Sequence, residues 1–131
     1  MWVYGGAFLS GDVQGNLTKA DLISRKTNMD VFVCEYRLVP EFDADDICWD
    51  MALAFKWLSQ RRNPRKVILL GISSGGSVCV RQLQYIAEKK RGETLLPSYI
   101  NTLIDPETMP AGAVLMGPFV DFTEPKGSLV H

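Results

Sequence analysis

Ser73 is the side chain in this sequence best placed to do chemistry. Four apolar residues, Val67 to Leu70, run into Gly71-Ile72-Ser73-Ser74-Gly75-Gly76, and a helical pattern follows. Strand, tight turn and helix therefore meet at the serine, which is the context of a nucleophile elbow. Residues beside such a turn must be small, and Gly71, Gly75 and Gly76 meet that demand. The Ser73 hydroxyl is then expected to project above the C-terminal end of a strand. The plain alternative is a glycine-rich turn holding an ordinary serine. The pentapeptide alone does not separate the two, and the flanking strand and helix favour the elbow.

A second stretch complements the first. Trp2-Val3-Tyr4 reads as the end of a strand and opens into Gly5-Gly6-Ala7-Phe8. A strand running into small residues exposes backbone N–H groups, which can bind an anion or a developing oxyanion. A simple turn is the other reading of these residues alone.

These loops need elements to position them. Residues 16–28 form a helix candidate, with Thr18 and Asp21 as a capping box and Leu17, Ala20 and Ile23 facing inward. Val31-Phe32-Val33-Cys34 is a continuous β-forming apolar run, the signature of a strand buried on both faces. After the loop Glu35 to Glu41, Asp43, Asp45 and Asp46 offer N-cap and first-turn acids. Ile47, Met51, Phe55 and Leu58 then recur at helical spacing, with Trp49, Leu53 and Trp57 as a second stripe and both tryptophans assigned to the core. Asn63-Pro64 stops this helix. Lys66 to Leu70 is a third strand, and the helix after Ser73 turns Cys79, Leu83 and Ile86 inward until Gly92. A short helix is expected over 98–104, and Ala113-Val114-Leu115-Met116 is a fourth strand.

The order is β-α-β-α-β-α-β, which predicts an α/β fold with a parallel sheet of about four strands flanked by helices. Ligands of such sheets bind outside the carboxyl ends of the strands. Both glycine-rich loops follow strands, so a serine hydroxyl and a set of backbone N–H groups converge on one rim.

Composition excludes several classes. The chain has 131 residues, 47% hydrophobic, with Lys plus Arg 14 against Asp plus Glu 15 and a net charge of −1. That balance attracts neither nucleic acid nor an anionic membrane. No apolar run approaches the roughly 20 residues of a membrane span. No signal-peptide pattern opens the sequence, which favours a cytoplasmic location. Cys34, Cys48 and Cys79 are odd in number, widely spaced and set in apolar segments, so they read as reduced core residues. No metal or cofactor is implied.

Four stretches, in order, resemble the α/β-hydrolase fold, specifically the hormone-sensitive-lipase-like carboxylesterases of the fold-3 group. Tyr4-Gly5-Gly6-Ala7-Phe8 resembles His-Gly-Gly-Gly-Phe, and Glu35-Tyr36-Arg37-Leu38-Val39-Pro40-Glu41 resembles Asp-Tyr-Arg-Leu-Ala-Pro-Glu. Asp50 falls where the family has an acid in the next helix. Gly71-Ile72-Ser73-Ser74-Gly75-Gly76 resembles Gly-Asp-Ser-Ala-Gly-Gly, and Ala113 to Thr123 resembles the family's strand and its Ser-Pro-Trp-x-Asp-Leu-Thr. The resemblance implies a serine hydrolase acting on small carboxylic esters. Ser73 would be the nucleophile, with an oxyanion hole at Gly5, Gly6, Ala7 and Ser74 and its donors on the N–H groups of Gly6, Ala7 and Ser74. It also implies the strand order 31–34, 2–4, 67–70, 113–116. The helix at 46–62 and the helix after Ser73 share one face, and the helix at 18–27 takes the other.

The sequence departs from the family at Tyr4 for histidine, Ala7 for glycine and Ile72 for aspartate. None removes a backbone donor. The family's triad Asp and His follow the last strand seen here, so residues 1–131 read as an incomplete α/β-hydrolase domain. The one histidine is His131, and Asp121 matches a family position outside the triad. The tail could reach back, but ordering it costs roughly 1–2 kcal/mol of backbone entropy per residue. Its apolar anchors are few, so His131 is not expected to complete the site. The alternatives to an esterase-type hydrolase are a non-catalytic relative that binds small molecules and a truncated product without function.

Overall fold

The sheet is built around Ile68–Ile72 (β2), which is flanked by parallel strands on both sides in a computed structural model describing residues 1–93 and 97–120. Trp2–Val3 (β1) pairs with Leu70 and Gly71 on one side. Gly112–Met116 (β3) pairs with β2 over its whole length, from Ile68↔Gly112 to Ile72↔Met116. Four strands were expected, and three form among the described residues. Val31–Cys34 contributes a single parallel bridge, Trp2↔Val33, through Trp2 N→Phe32 O at 2.7 Å and Cys34 N→Trp2 O at 3.0 Å. β1 is two residues long and offers Trp2 alone to this segment, so the ladder stops there. The bridge lies on the outer side of β1, which is the expected order.

Side chains alternate across a strand, and that alternation sorts the layers. Leu69 and Gly71 face the helix Ser74–Lys90 (α3): a Cβ on Gly71 would lie 2.7 Å from Gly76 Cα and 2.9 Å from Cys79 Sγ. The helix Ala44–Ser59 (α2) packs beside α3 on this face. Trp2, in register with Leu70, points to the opposite face, where its indole Nε1 donates to Asn16 Oδ1 of the helix Val13–Thr27 (α1) at 3.4 Å. The two-to-one division of helices is the expected one. α1 leaves Ile68, Ile72, Val114 and Met116 between 36% and 51% exposed.

α2 follows its sequence pattern. Asp43 and Asp46 cap it reciprocally, and Ile47, Met51, Phe55 and Leu58 are buried. Each such side chain contributes about 1.5–3 kcal/mol of gross burial energy. The second stripe differs: Leu53 is exposed, and Trp57 is 45% exposed. Trp57 lies at the rim, where it stacks on Phe32 at 5.4 Å and carries the Arg61 guanidinium 4.0 Å from its ring centre. α1 starts earlier than its expected cap. Asp12 is the N-cap, accepting from Gly15 N, while Asp21 lies within the helix and pairs with Arg25 at 2.9 Å. Leu17 is exposed and Ala20 buried. The short helix Ser98–Asn101 (α4) ends before residue 104.

Candidate active site

Ser73 stands between β2 and α3 in a conformation that few side chains adopt, with φ 52° and ψ −126°. A non-glycine residue held there stores roughly 1–3 kcal/mol and needs surroundings that enforce it. Several contacts do so. Ser73 N donates to Met116 O at 2.8 Å, tying the turn to the end of β3. Ser73 O accepts from Gly76 N at 2.9 Å. A Cβ on Gly75 would lie 2.2 Å from both Val3 O and Tyr4 O, so α3 approaches β1 as only glycine allows. Ser73 itself is half-buried.

The loop after β1 lies against this turn. A Cβ on Gly5 would meet Ile72 O at 2.8 Å and Ser73 Cβ at 3.0 Å, which places Gly5 directly beside the serine. Beyond it, Ala7 and Phe8 have φ of 55° and 65°. Gly6 O accepts from Leu9 N at 2.9 Å and Ser10 N at 3.1 Å. Among the described residues, the backbone N–H groups of Gly6 and Ala7 donate to no acceptor.

A third segment supports that loop, a connection that spacing alone did not reveal. The Tyr36 hydroxyl donates to Tyr4 O at 2.6 Å, and the two rings stack with centres 4.9 Å apart. Val39 N donates to Phe8 O at 2.9 Å. Between them Arg37 is anchored on α2. Its backbone N–H and its Nε reach Asp50 Oδ2 at 2.8 and 2.9 Å, and Nη1 reaches Asp46 Oδ1 at 2.8 Å. The hydrogen bond to the Asp50 carboxylate raises the Arg37 pKa further. Burial pushes the Tyr4 and Tyr36 phenols up to about 12. Ser74 Oγ, fully buried, has the Tyr36 hydroxyl as a polar neighbour but makes no hydrogen bond of good geometry among the described residues.

The family profile described as the alpha/beta hydrolase fold matches residues 1–130. The chain belongs to the α/β-hydrolase fold-3 family. It is 27% identical over 130 residues to an esterase of Acinetobacter venetianus, a match covering 97% of this chain and 37% of the relative. It is 29% identical over 92 residues to Esterase LipU of Mycobacterium tuberculosis, covering 67% of this chain and 30% of that one. A crystal structure of an esterase/lipase from an uncultured bacterium superposes with a TM-score of 0.71 at 26% identity, covering 93% of this chain and 36% of its own. The chain thus spans about a third of the length of these relatives.

Where this member departs from the fold-3 pattern, the positions are now concrete. Tyr4 is buried beneath the loop, Ala7 takes a left-handed backbone where the family has glycine, and Ile72 is 36% exposed beside the serine. A cavity of about 500 Å³ opens nearby, lined by Phe8, Val39, Ile47, Val78, Tyr85 and Phe119, with Ser77 on its wall one turn after Ser73. Cys48 also lines it, and burial raises that thiol's pKa. His131 and Asp121 lie outside the described residues. Among the described residues no group of His, Cys, Asp and Glu could hold a metal ion. None of their helices is long and apolar enough to cross a membrane.

Proposed function

We propose that Ser73 is the nucleophile of a carboxylic ester hydrolase site, with the N–H groups of Gly6, Ala7 and Ser74 as its oxyanion hole. The reading rests on one observation: a strained serine at the end of a central strand, with Gly5 packed against its Cβ. Ser73 Oγ attacks the ester carbonyl carbon, the carbonyl oxygen becomes an oxyanion, and collapse expels the alcohol and leaves an acyl-serine that water hydrolyses. A single oxyanion donor is worth about 2.7–4 kcal/mol in a well-studied protease. The neighbouring apolar cavity would take the hydrocarbon arm of the ester.

The hydroxyl needs a base, since a serine at neutral pH is a weak nucleophile. In this fold the acid and the histidine follow the serine in the chain, and the sequence offers one histidine, His131. Loss of the base costs about 10⁶-fold in a protease, leaving about 10³–10⁴ over water. The 131-residue chain is therefore expected to turn over p-nitrophenyl butyrate very slowly. Added imidazole should accelerate formation of a butyryl-enzyme, followed by intact mass, and Ser73→Ala should abolish it. An acyl adduct that forms equally in Ser73→Ala would refute the assignment.

A further inference from the structure

We infer that Tyr36 is a positioning residue for the loop that carries the Gly6 and Ala7 amides. The inference rests on the reading of that loop as the oxyanion hole. The stretch is held at both ends by one segment: the Tyr36 hydroxyl takes the Tyr4 carbonyl at 2.6 Å, and Val39 N–H takes the Phe8 carbonyl at 2.9 Å. Between these two points lie Gly5, Gly6 and Ala7, two of them glycines with wide conformational freedom. The Tyr4 carbonyl is also where the elbow touches the loop, because a Cβ on Gly75 would sit 2.2 Å from it. One buried oxygen is thus wedged between the first turn of α3 and the Tyr36 hydroxyl.

The peptide unit is planar, so fixing a carbonyl fixes the amide that follows it. With the Tyr4 carbonyl aimed at Tyr36, the plane of the Tyr4–Gly5 peptide is set, and with it the direction in which Gly5 leads to the donors. Tyr36 is itself immobilised. Its ring is 4% exposed and stacked on Tyr4, and the next residue is bound through its backbone and side chain to Asp50. The Ser74 hydroxyl beside Tyr36 belongs to the residue whose N–H is the third donor. Ala7 and Ser74 are therefore within one residue of a group that meets Val39 or Tyr36, and Gly6 is two residues from each of the anchored carbonyls of Tyr4 and Phe8.

The test uses the 131-residue chain and a Tyr36→Phe variant, which keeps the ring and removes the hydroxyl. Backbone ¹⁵N order parameters are measured at Gly5, Gly6 and Ala7, with Leu69, Cys79 and Ile86 as core references. Rigid backbone gives about 0.85 and flexible backbone less than about 0.6. The expected result is loss of order confined to residues 5–7. Unchanged values there, or an equal loss throughout the core, would overturn the positioning role.

If Tyr36→Phe does not fold, the parent chain decides. A slowly exchanging Tyr36 hydroxyl proton close to the Tyr4–Gly5 peptide supports the inference, and a freely exchanging one overturns it. A second arm separates this idea from the assignment of Ser73. Ser73→Ala should leave the order parameters unaltered, and a fluorophosphonate should label Tyr36→Phe at least tenfold more slowly at saturation with unchanged half-saturation. Unlabelled parent protein would count against Ser73 as nucleophile, while the order parameters would still decide for or against Tyr36.

Discussion

Replacing Gly75 by alanine should separate the elbow from the loop that faces it. The new Cβ would lie 2.2 Å from two carbonyl oxygens, those of Val3 and Tyr4. That is about 1 Å inside normal carbon–oxygen contact, and neither oxygen can rotate away, because each belongs to the backbone of a buried segment. The first turn of α3 must therefore shift off β1. Alanine brings an opposing gain of up to about 1 kcal/mol in helix propensity. Overpacking costs typically 1–3 kcal/mol and occasionally more, and a clash with two immovable atoms falls at the upper end. The net loss is expected at about 2–3 kcal/mol, a fall of roughly 6–12 °C in melting temperature for a domain of this size. Gly112→Ala is the control, since a Cβ there would meet nothing within 4 Å, and it should stay within about 0.5 kcal/mol of the parent. Urea and thermal unfolding by circular dichroism measure both. A Gly75→Ala protein as stable as Gly112→Ala would refute the close approach of α3 to β1.

Ala7→Gly should stabilise the chain by up to about 1 kcal/mol in urea unfolding. It relieves a left-handed alanine at φ 55°, and the gain is partly offset by glycine's larger unfolded-state entropy. Asp50→Ala should cost about 1–3 kcal/mol, because the Arg37 backbone N–H and Nε both lose the carboxylate they share. The loss should be read as a lowered urea midpoint. Stability should also fall on the alkaline side. Burial raises Cys34 and Cys79 from an ordinary 9.0, and Tyr4 and Tyr36 from 10.0, each to about 12. Between about pH 9 and 12 the unfolded chain loses these protons and the folded chain keeps them. The unfolded state then binds fewer protons, so the stability present below pH 9 drains away as pH rises towards 12. Urea midpoints at pH 8 and 10.5 check this, and equal values would contradict it.

The α/β alternation and the convergence of two loops were legible because strong local signals carried them. The stripe Ile47, Met51, Phe55, Leu58 is buried as its period requires, and the glycines around Ser73 stand where a Cβ cannot fit. What spacing could not give was set by partners distant in the chain. Val31–Cys34 has every mark of a strand, but β1 offers it a single residue to pair with. Trp57 has the spacing of a core residue, yet its position at the end of α2 leaves it on the rim beneath Arg61. The α1 start was misplaced because Asp12 precedes a helix whose first turn holds Gly15, a poor helix former. The support of the loop by Tyr36 and Val39 was hidden for a related reason. These two bonds span about thirty residues in sequence, and no local pattern encodes them. The one signal was a tyrosine two residues beyond the apolar run Val31–Cys34, where a ring that is buried needs an acceptor for its hydroxyl.

The central claim is that Ser73 is the reactive serine, and its most direct test is where a fluorophosphonate attaches. The probe exchanges fluoride for a serine oxygen, so the adduct marks the hydroxyl that attacked. Ser73, Ser74 and Ser77 lie within one short segment, and fragmentation mass spectrometry of that peptide distinguishes them. The account predicts a slowly formed adduct on Ser73, quickened by imidazole and absent from Ser73→Ala. An adduct on Ser77, or labelling of the parent chain no greater than that of Ser73→Ala, would contradict it.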